Sequence, residues 1–348
     1  MIVIAPDKFK GSLTALEAAH AIAEGLRDGG CREEIALCPM ADGGEGMPDR
    51  LGGSPVVSAC DHVGYANAGV AKTDVMDRSS APLGRSLRER YGMERSDAPR
   101  RIWLAVGGTL TVDGGAGALG ALGVRFYDRS GGLIKGDVTA AMLPDLARCE
   151  CDPRLKEYWR SRLFILSDVN ATLTGAGLSA LDFAVQKGVK AERLPSLGKS
   201  LENLRRVLGS PLPSAVDGAG GGIGFAFASF IGAPCGSGAE AMLRAAGIDW
   251  QKVTLLISGE GSIDCQTAGG KVVETLRREA KRRGVPFIAV GGYVEPSLRD
   301  STTISTIDSR EDYDPRLAAQ RLRQSTAAVA RSLMSADDAP TMKSHTPL

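Results

Sequence analysis

Short apolar runs that end abruptly in glycine or aspartate recur along this chain. Ile2 to Ala5 is the first and reads as a buried strand closed by Pro6-Asp7. Thr14 and Glu17 then stand at capping-box spacing, and Ala15, Leu16, Ala19, Ile22, Ala23 and Leu26 recur at helical period. Gly29-Gly30 stops that helix, and Glu34 to Pro39 reads as a second strand leading into Asp42-Gly43-Gly44-Glu45-Gly46. Further apolar runs at Ile102 to Val106, Leu163 to Leu166, Val253 to Ile257 and Phe287 to Val290 lead into Gly107-Gly108, Ser167-Asp168, Ser258-Gly259-Glu260-Gly261 and Gly291-Gly292. Strand, helix, strand with short loops predicts an α/β fold with a parallel sheet, and such sheets bind ligands at the C-terminal ends of their strands. Between these runs the pattern is weaker. Val70 to Val75 reads as one more strand, and Arg85 to Arg101 as a solvated, basic helix or loop. From Ser332 onward the chain is polar and reads as a disordered tail, 332–348.

Composition narrows the function classes. Among the 348 residues, 43% are hydrophobic and 24% charged, with a formal net charge of +1, so no bulk field favours nucleic acid or a membrane surface. The 44 glycines cluster between apolar runs, as backbone that approaches a ligand closely does. Seven scattered cysteines and only three histidines read as reduced thiols without a zinc site. The opening MIVIAPDKFK is a strand, not a secretory leader, and no apolar run reaches membrane-spanning length. A cytoplasmic location is the expectation.

The acidic loops carry the candidate chemistry. Asp7, Asp42 with Glu45, Asp113, Asp168, and Glu260 with Asp264 each follow an expected strand. Singly, each is an ordinary cap or turn residue. Together at a sheet edge, carboxylates need a cation or a hydroxyl substrate. Lys8, Lys10, Lys187 and Lys271 lie beside these loops, and Lys10 and Lys271 border glycine turns suited to phosphate or carboxylate. A Walker pattern is absent: Gly270-Lys271 precedes Val272, and Cys265 stands where its first glycine belongs. Gly115 to Gly120 matches GxGxxG but lies several residues past the strand, so helix packing explains it better than a dinucleotide turn.

These same loops resemble the type I glycerate kinase family. Ala5-Pro6-Asp7-Lys8-Phe9-Lys10-Gly11-Ser12-Leu13 is similar to its APDSFKGSL, and Pro39 to Gly46 reads as its PMADGGEG. Gly107 to Gly117, Asp168 to Gly188 and Gly218 to Gly224 follow its GGSATNDGGAG, DVDNPLTG…QKG and GAGAAGGLG. Ser258 to Lys271 resembles TGEGRLDGQT..GK. The matches keep the family's order from residue 2 to about 295. The resemblance implies two α/β domains: a Rossmann/flavodoxin-like parallel-sheet domain formed by both chain ends, 1–55 plus 245–331, and an inserted α/β domain, 56–244. It implies transfer of the ATP γ-phosphoryl group to D-glycerate, usually at the 2-hydroxyl, with Mg²⁺. The partners are then a small hydroxy acid and a nucleotide, with no nucleic acid or membrane; a homodimer is left open.

Carried onto this chain, the catalytic candidates are Asp168, Asp264 and Lys271. Gly114, Gly115, Gly117, Gly220, Gly221, Gly222 and Lys187 are candidates for nucleotide binding. Asp7, Lys8, Lys10, Asp42 and Asp113 are candidates for the acid, and Glu260 and Asp42 for the metal. The sequence does not divide these roles further. Departures are specific: Lys8 for the usual Ser, Met47 for Thr, Val112 for Asn, Asn170-Ala171-Thr172 for DNP, Gly177 for Arg, and Ser262 for the Arg of GEGR. Losing two arginines lowers the capacity to neutralise phosphate. Two further readings follow: a kinase of a related hydroxy acid, and a nucleotide- or acid-binding member without catalysis. Retention of so many acidic loop residues argues against the second.

Overall fold

The computed structural model describes residues 1–41, 43–67, 69, 72–209, 213–264 and 272–337, with side chains to 332. In chain order its first half carries β1 (Ile2–Ile4), α1 (Ala15–Asp28), β2 (Ile35–Leu37), β3 (Arg50–Leu51), β4 (Ser54–Ser58), α2 (Ala59–Val63), α3 (Ala81–Tyr91), β5 (Ile102–Ala105), α4 (Ala116–Leu122), β6 (Arg125–Asp128) and β7 (Leu146–Glu150). The second half carries α5 (Pro153–Arg162), β8 (Leu163–Leu166), α6 (Ala180–Ala184), α7 (Leu194–Leu208), β9 (Cys235–Gly236), α8 (Gly238–Ala245), β10 (Leu255–Ile263), α9 (Val272–Arg283), β11 (Phe287–Val294), β12 (Thr303–Ile307) and α10 (Ala318–Asp337).

Two compact units form: Met1–Met40 with Ala246–Leu348, and Ala41–Ala245. The first crossing falls at Met40/Ala41 rather than at 55/56. The reason is strand pairing: β3 pairs with β4, and β4 with β5, which draws residues 50–58 into the second unit's sheet.

In the first unit all neighbouring strands are parallel, in the order β2-β1-β10-β11-β12. Numbered by appearance within the unit, this is 2-1-3-4-5, the flavodoxin-like doubly wound order, whose switch point lies between β1 and β10. The helix α1 forms where the sequence places it. Thr14 Oγ1 accepts from the Glu17 N–H at 3.2 Å, and Glu17 Oε2 accepts from the Thr14 N–H at 2.8 Å. Such a cap contributes about 1 kcal/mol. The buried stripe Ala18, Ala19, Ile22 and Leu26 packs with Ile4, Ile257 and Val290 of the sheet and with Leu322 and Ala330 of α10. Burying Ile22 or Leu26 stabilises by about 1.5–3 kcal/mol each. Ala289, next to Val290 on β11, joins a different cluster with Val273 of α9. Adjacent strand residues face opposite ways, so helices cover both faces of this sheet.

The structure differs from the sequence expectation in three ways. First, β10 and β11 do not end at their glycines but run through them, to Ile263 and Val294. A Cβ at Gly259 would lie 2.4 Å from the Val290 carbonyl oxygen, and one at Gly292 would lie 2.5 Å from that of Gly261, so the two strands approach more closely than side chains allow. Second, residues 332–337 continue α10 instead of starting a disordered tail; Ala327, Ala328, Ala330, Arg331, Leu333, Met334 and Ala336 are residue types of high helix propensity. Third, Val75–Asp77 is a single 3₁₀ turn whose N-cap Asp74 accepts from the Met76 N–H, not the end of a strand; Val70 and Ala71 lie outside the described residues.

The second unit has the sheet order β3-β4-β5-β8-β9, parallel from β4 to β9 with β3 antiparallel at the edge, beside a separate antiparallel pair β6-β7. Its core gathers Leu104, Ile165, Leu119, Phe126, Trp159 and Phe225. The segment matching GxGxxG is α4, a buried helix whose Ala118 backbone leaves no room for a Cβ at Gly84 of α3. Among the described residues no helix is long and apolar enough to cross a membrane.

Candidate active site

At the first unit's switch point the parallel ladder of β1 and β10 continues past Ile4. The Ala5 N–H donates to the Ile257 carbonyl at 2.7 Å, and the Asp7 N–H to that of Gly259 at 2.8 Å. This ladder sets Asp7 beside Glu260 on the neighbouring strand, and both carboxylates are buried. Asp7 Oδ1 accepts from the Lys8 N–H at 2.7 Å. Phe9 is buried and anchors the turn, Lys8 is half-buried and Lys10 exposed. At the end of β10, Asp264 Oδ2 accepts from Ser262 Oγ at 3.2 Å and from Arg310 Nη2 at 3.1 Å. Asp42 and Lys271 lie outside the described residues.

For a metal, the donor set is decisive. Among the described residues no group of three His, Cys, Asp or Glu side chains converges, so they form no all-protein cage. Mg²⁺ does not need one. It keeps several waters and is held by one or two carboxylates together with substrate phosphates. Glu260, a hard oxygen donor buried beside Asp7, fits that mode.

At the second unit's edge, Asp168 follows β8 and is 5% exposed. Its Oδ2 accepts from the Ala239 N–H at 3.0 Å, in the first turn of α8, where the helix dipole favours negative charge. Glycines make this approach possible. A Cβ on Gly238 would stand 2.7 Å from Gly43 N and 3.1 Å from Asp168 Oδ2. The Gly107 N–H donates to the Gly43 carbonyl at 2.9 Å, so the loop after residue 42 is stitched to the ends of β5 and β8.

The remaining glycine loops differ from expectation. Asp113 is 0% exposed and has no surface for a substrate. Its carboxylate accepts from the Ser80 N–H at 2.8 Å, Ser80 Oγ at 2.7 Å, the Gly115 N–H at 3.2 Å and the Gly117 N–H at 3.1 Å. Burial pushes this carboxyl upward, against those hydrogen bonds. Ser80 Oγ already accepts from the Ala118 N–H at 2.8 Å, so its proton points at Asp113, which acts as an acceptor throughout. The Gly114 N–H donates to the Gly221 carbonyl at 3.1 Å and the Gly222 N–H to that of Ala219 at 3.2 Å. The amides of Gly114, Gly115, Gly117 and Gly222 are thus each bonded to an acceptor of the protein itself, the Asp113 carboxylate or a backbone carbonyl. Gly220 packs its backbone against the Val106 carbonyl.

Lys187 is part of the same interior. It is 7% exposed, and Nζ donates to Thr109 Oγ1 at 3.1 Å and to the Thr111 carbonyl at 3.0 Å. Arg78 Nη1 bridges the Lys187 and Leu110 carbonyls at 2.8 and 3.2 Å. Lys187 therefore ties the 109–111 segment to the end of α6.

Two predictions follow from this interior. At Gly222 the backbone has φ +95°, and a Cβ would stand 2.4 Å from Gly114 Cα. Gly222→Ala should cost at least about 2 kcal/mol, from left-handed strain plus overpacking, read in urea unfolding. The second concerns pH. Burial lowers Lys187 from 10.5 to about 7, with Asp113 pulling the other way. Between those values the unfolded chain binds more protons. Unfolding free energy should then rise with pH from about 7 towards 10.5, by up to about 1.4 kcal/mol per unit. Below about pH 7 the desolvation cost is present in full. Urea unfolding at pH 7 and 9 should show that rise in the wild type and its loss in Lys187→Met; equal slopes would contradict it.

Sequence reasoning did not reach Ser80, Arg78 or Arg310. Serine, threonine and arginine outside recognisable loops carry no period or spacing signal. Arg310 stands in the turn after β12, Thr303–Ile307, a strand whose sequence pattern does not mark it as one.

Comparison with known proteins agrees with the resemblance. A model of the glycerate kinase family matches residues 2–55 and 52–334. The glycerate kinase of Halalkalibacterium halodurans is 33% identical over 84% of this chain and 85% of its own length. The glycerate 2-kinase of Escherichia coli K12 is 30% identical over 84% of each chain. A crystal structure of a protein assigned as glycerate kinase 2 from Salmonella typhimurium LT2 is similar with a TM-score of 0.71 and 27% identity, covering 97% of this chain and 99% of that one. A match that starts at the second residue and runs to 334, with a shared fold over nearly the whole chain, shows that this protein belongs to the glycerate kinase family, as a phosphotransferase with an alcohol acceptor.

Proposed function

We propose that this enzyme transfers the γ-phosphoryl group of ATP to the 2-hydroxyl of D-glycerate, giving 2-phosphoglycerate and ADP, with Mg²⁺. The observation that carries the reading is the placement of buried carboxylates at the C-terminal edges of both parallel sheets, Asp7 and Glu260 in one unit and Asp168 in the other, in a chain of this family. The 2-position follows the name of the Escherichia coli relative.

The substrate hydroxyl oxygen attacks the γ-phosphorus, the bond from that phosphorus to the β,γ-bridging oxygen breaks, and the hydroxyl proton goes to a carboxylate. We assign that proton to Asp168. Asp264 already shares its Oδ2 with a guanidinium and a serine hydroxyl, whereas the bond to the Ala239 N–H fixes the Asp168 carboxylate in orientation. Glu260 is assigned to the metal, which neutralises phosphate charge when bound. Lys8 and Lys10, on the turn beside Asp7, and Lys271 are assigned to anionic groups of the substrates. Phosphorus and carbon NMR of the product tests the regiochemistry. A phosphorus doublet, split by the single proton on C2, is the expected result, and a triplet, split by the paired protons on C3, would overturn the 2-position.

A further inference from the structure

We propose that Arg310 is a substrate-binding residue whose guanidinium receives an anionic oxygen, of a carboxylate or of a nucleotide phosphate, at the C-terminal edge of the first unit's sheet. The proposal rests on the kinase reading only for the identity of the anion. Three adjacent strands converge there. Ser262 and Asp264 come from the end of β10, Tyr293 from the end of β11, and Arg310 from the turn after β12. Arg310 Nη2 lies 3.2 Å from Ser262 Oγ and 3.1 Å from Asp264 Oδ2, and its Cζ lies 5.0 Å from the Tyr293 ring centroid, within cation–π range.

Stability alone does not explain this arrangement. The Arg310 side chain is 63% exposed, and an ion pair so exposed contributes little. What the contacts do is hold a long side chain in one orientation. Only Nη2 is engaged among the described residues, so the Nε and Nη1 N–H groups remain available to donate to an anionic oxygen. A guanidinium fixed before binding loses less freedom when the anion arrives. The short side chain of Ser262 gives Arg310 its place beside the strand end, at the position where the sequence departs from the arginine of GEGR.

The test is calorimetric titration of ADP and of D-glycerate into the wild type, Arg310→Gln, Arg310→Lys and Arg316→Gln. Arg316 is a nearby control, exposed and paired with Asp314. Arg310→Gln should weaken one of the two ligands by about 10–100-fold at unchanged Tm, with partial rescue in Arg310→Lys and none of this in Arg316→Gln. Loss for ADP identifies a phosphate, and loss for D-glycerate a carboxylate. Changes below twofold for both ligands, or equal losses in Arg310→Gln and Arg316→Gln, would overturn the proposal. If the wild type neither binds nor turns over D-glycerate, the kinase reading fails, and ADP affinity alone decides the role of Arg310.

Discussion

Asp168→Asn should lower kcat by about 10²–10⁴-fold, the usual contribution of a positioned general base, while the fold is retained. Asparagine keeps an oxygen for the Ala239 N–H, so that contact with the first turn of α8 stays in place. What disappears is the negative charge to which the hydroxyl proton is assigned in the proposed reaction. The dipole of α8 favours that charge by about 0.3–1 kcal/mol, so stability should change by no more than about that amount. Nucleotide affinity should stay near the wild-type value, because the residue acts on the hydroxyl. Steady-state kinetics beside urea unfolding checks both halves. Activity within tenfold of the wild type would remove Asp168 from the chemistry.

Asp113→Ala should destabilise the protein by about 3–5 kcal/mol, the range for breaking a buried charged network on one side. The carboxylate is fully buried, and its removal leaves the Ser80 N–H and hydroxyl and the Gly115 and Gly117 amides without their acceptor. Each such donor costs about 1–3 kcal/mol when left unmade, with partial relaxation. Oδ2 serves three of the four donors and Oδ1 serves Gly115. Asp113→Asn can therefore keep its oxygen at the Oδ2 position and misplace only one contact, so about 1–3 kcal/mol is expected. Urea unfolding of the two variants should rank them in that order. A loss under about 1 kcal/mol for Asp113→Ala would show that the loop does not depend on this carboxylate. Set against domain stabilities of about 5–15 kcal/mol, the expected loss is large.

The contrast between these two aspartates shows what the sequence made legible. Asp168 was readable because the apolar run Leu163–Leu166 leads into Ser167-Asp168, as the other apolar runs lead into glycine or acidic loops. The apolar runs at β1, β5 and β8 and the α1 capping box were readable for the same local reasons. Asp113 lies in a glycine-rich loop that looks solvent-facing, and only the tertiary fold turns its carboxylate inward onto Ser80, whose sequence neighbours give no hint of it. Lys187 misleads in the same way, since an isolated lysine is usually solvated. Its burial depends on Thr109 and Thr111, far away in the chain. The extension of β10 and β11 through their glycines was hidden because a residue without a side chain contributes nothing to an alternating pattern. In β12, Thr303–Ile307, every position is half-buried, and Thr-Ile-Ser-Thr-Ile shows no two-residue alternation that would mark an inside and an outside.

The central claim is phosphoryl transfer from ATP to D-glycerate. Its most direct measurement is ADP release from Mg-ATP with and without D-glycerate, beside a panel of other small hydroxy acids. The account predicts release that depends on D-glycerate and exceeds that with any other acid in the panel. Turnover on a different acid only, or on none while nucleotide still binds, would contradict it.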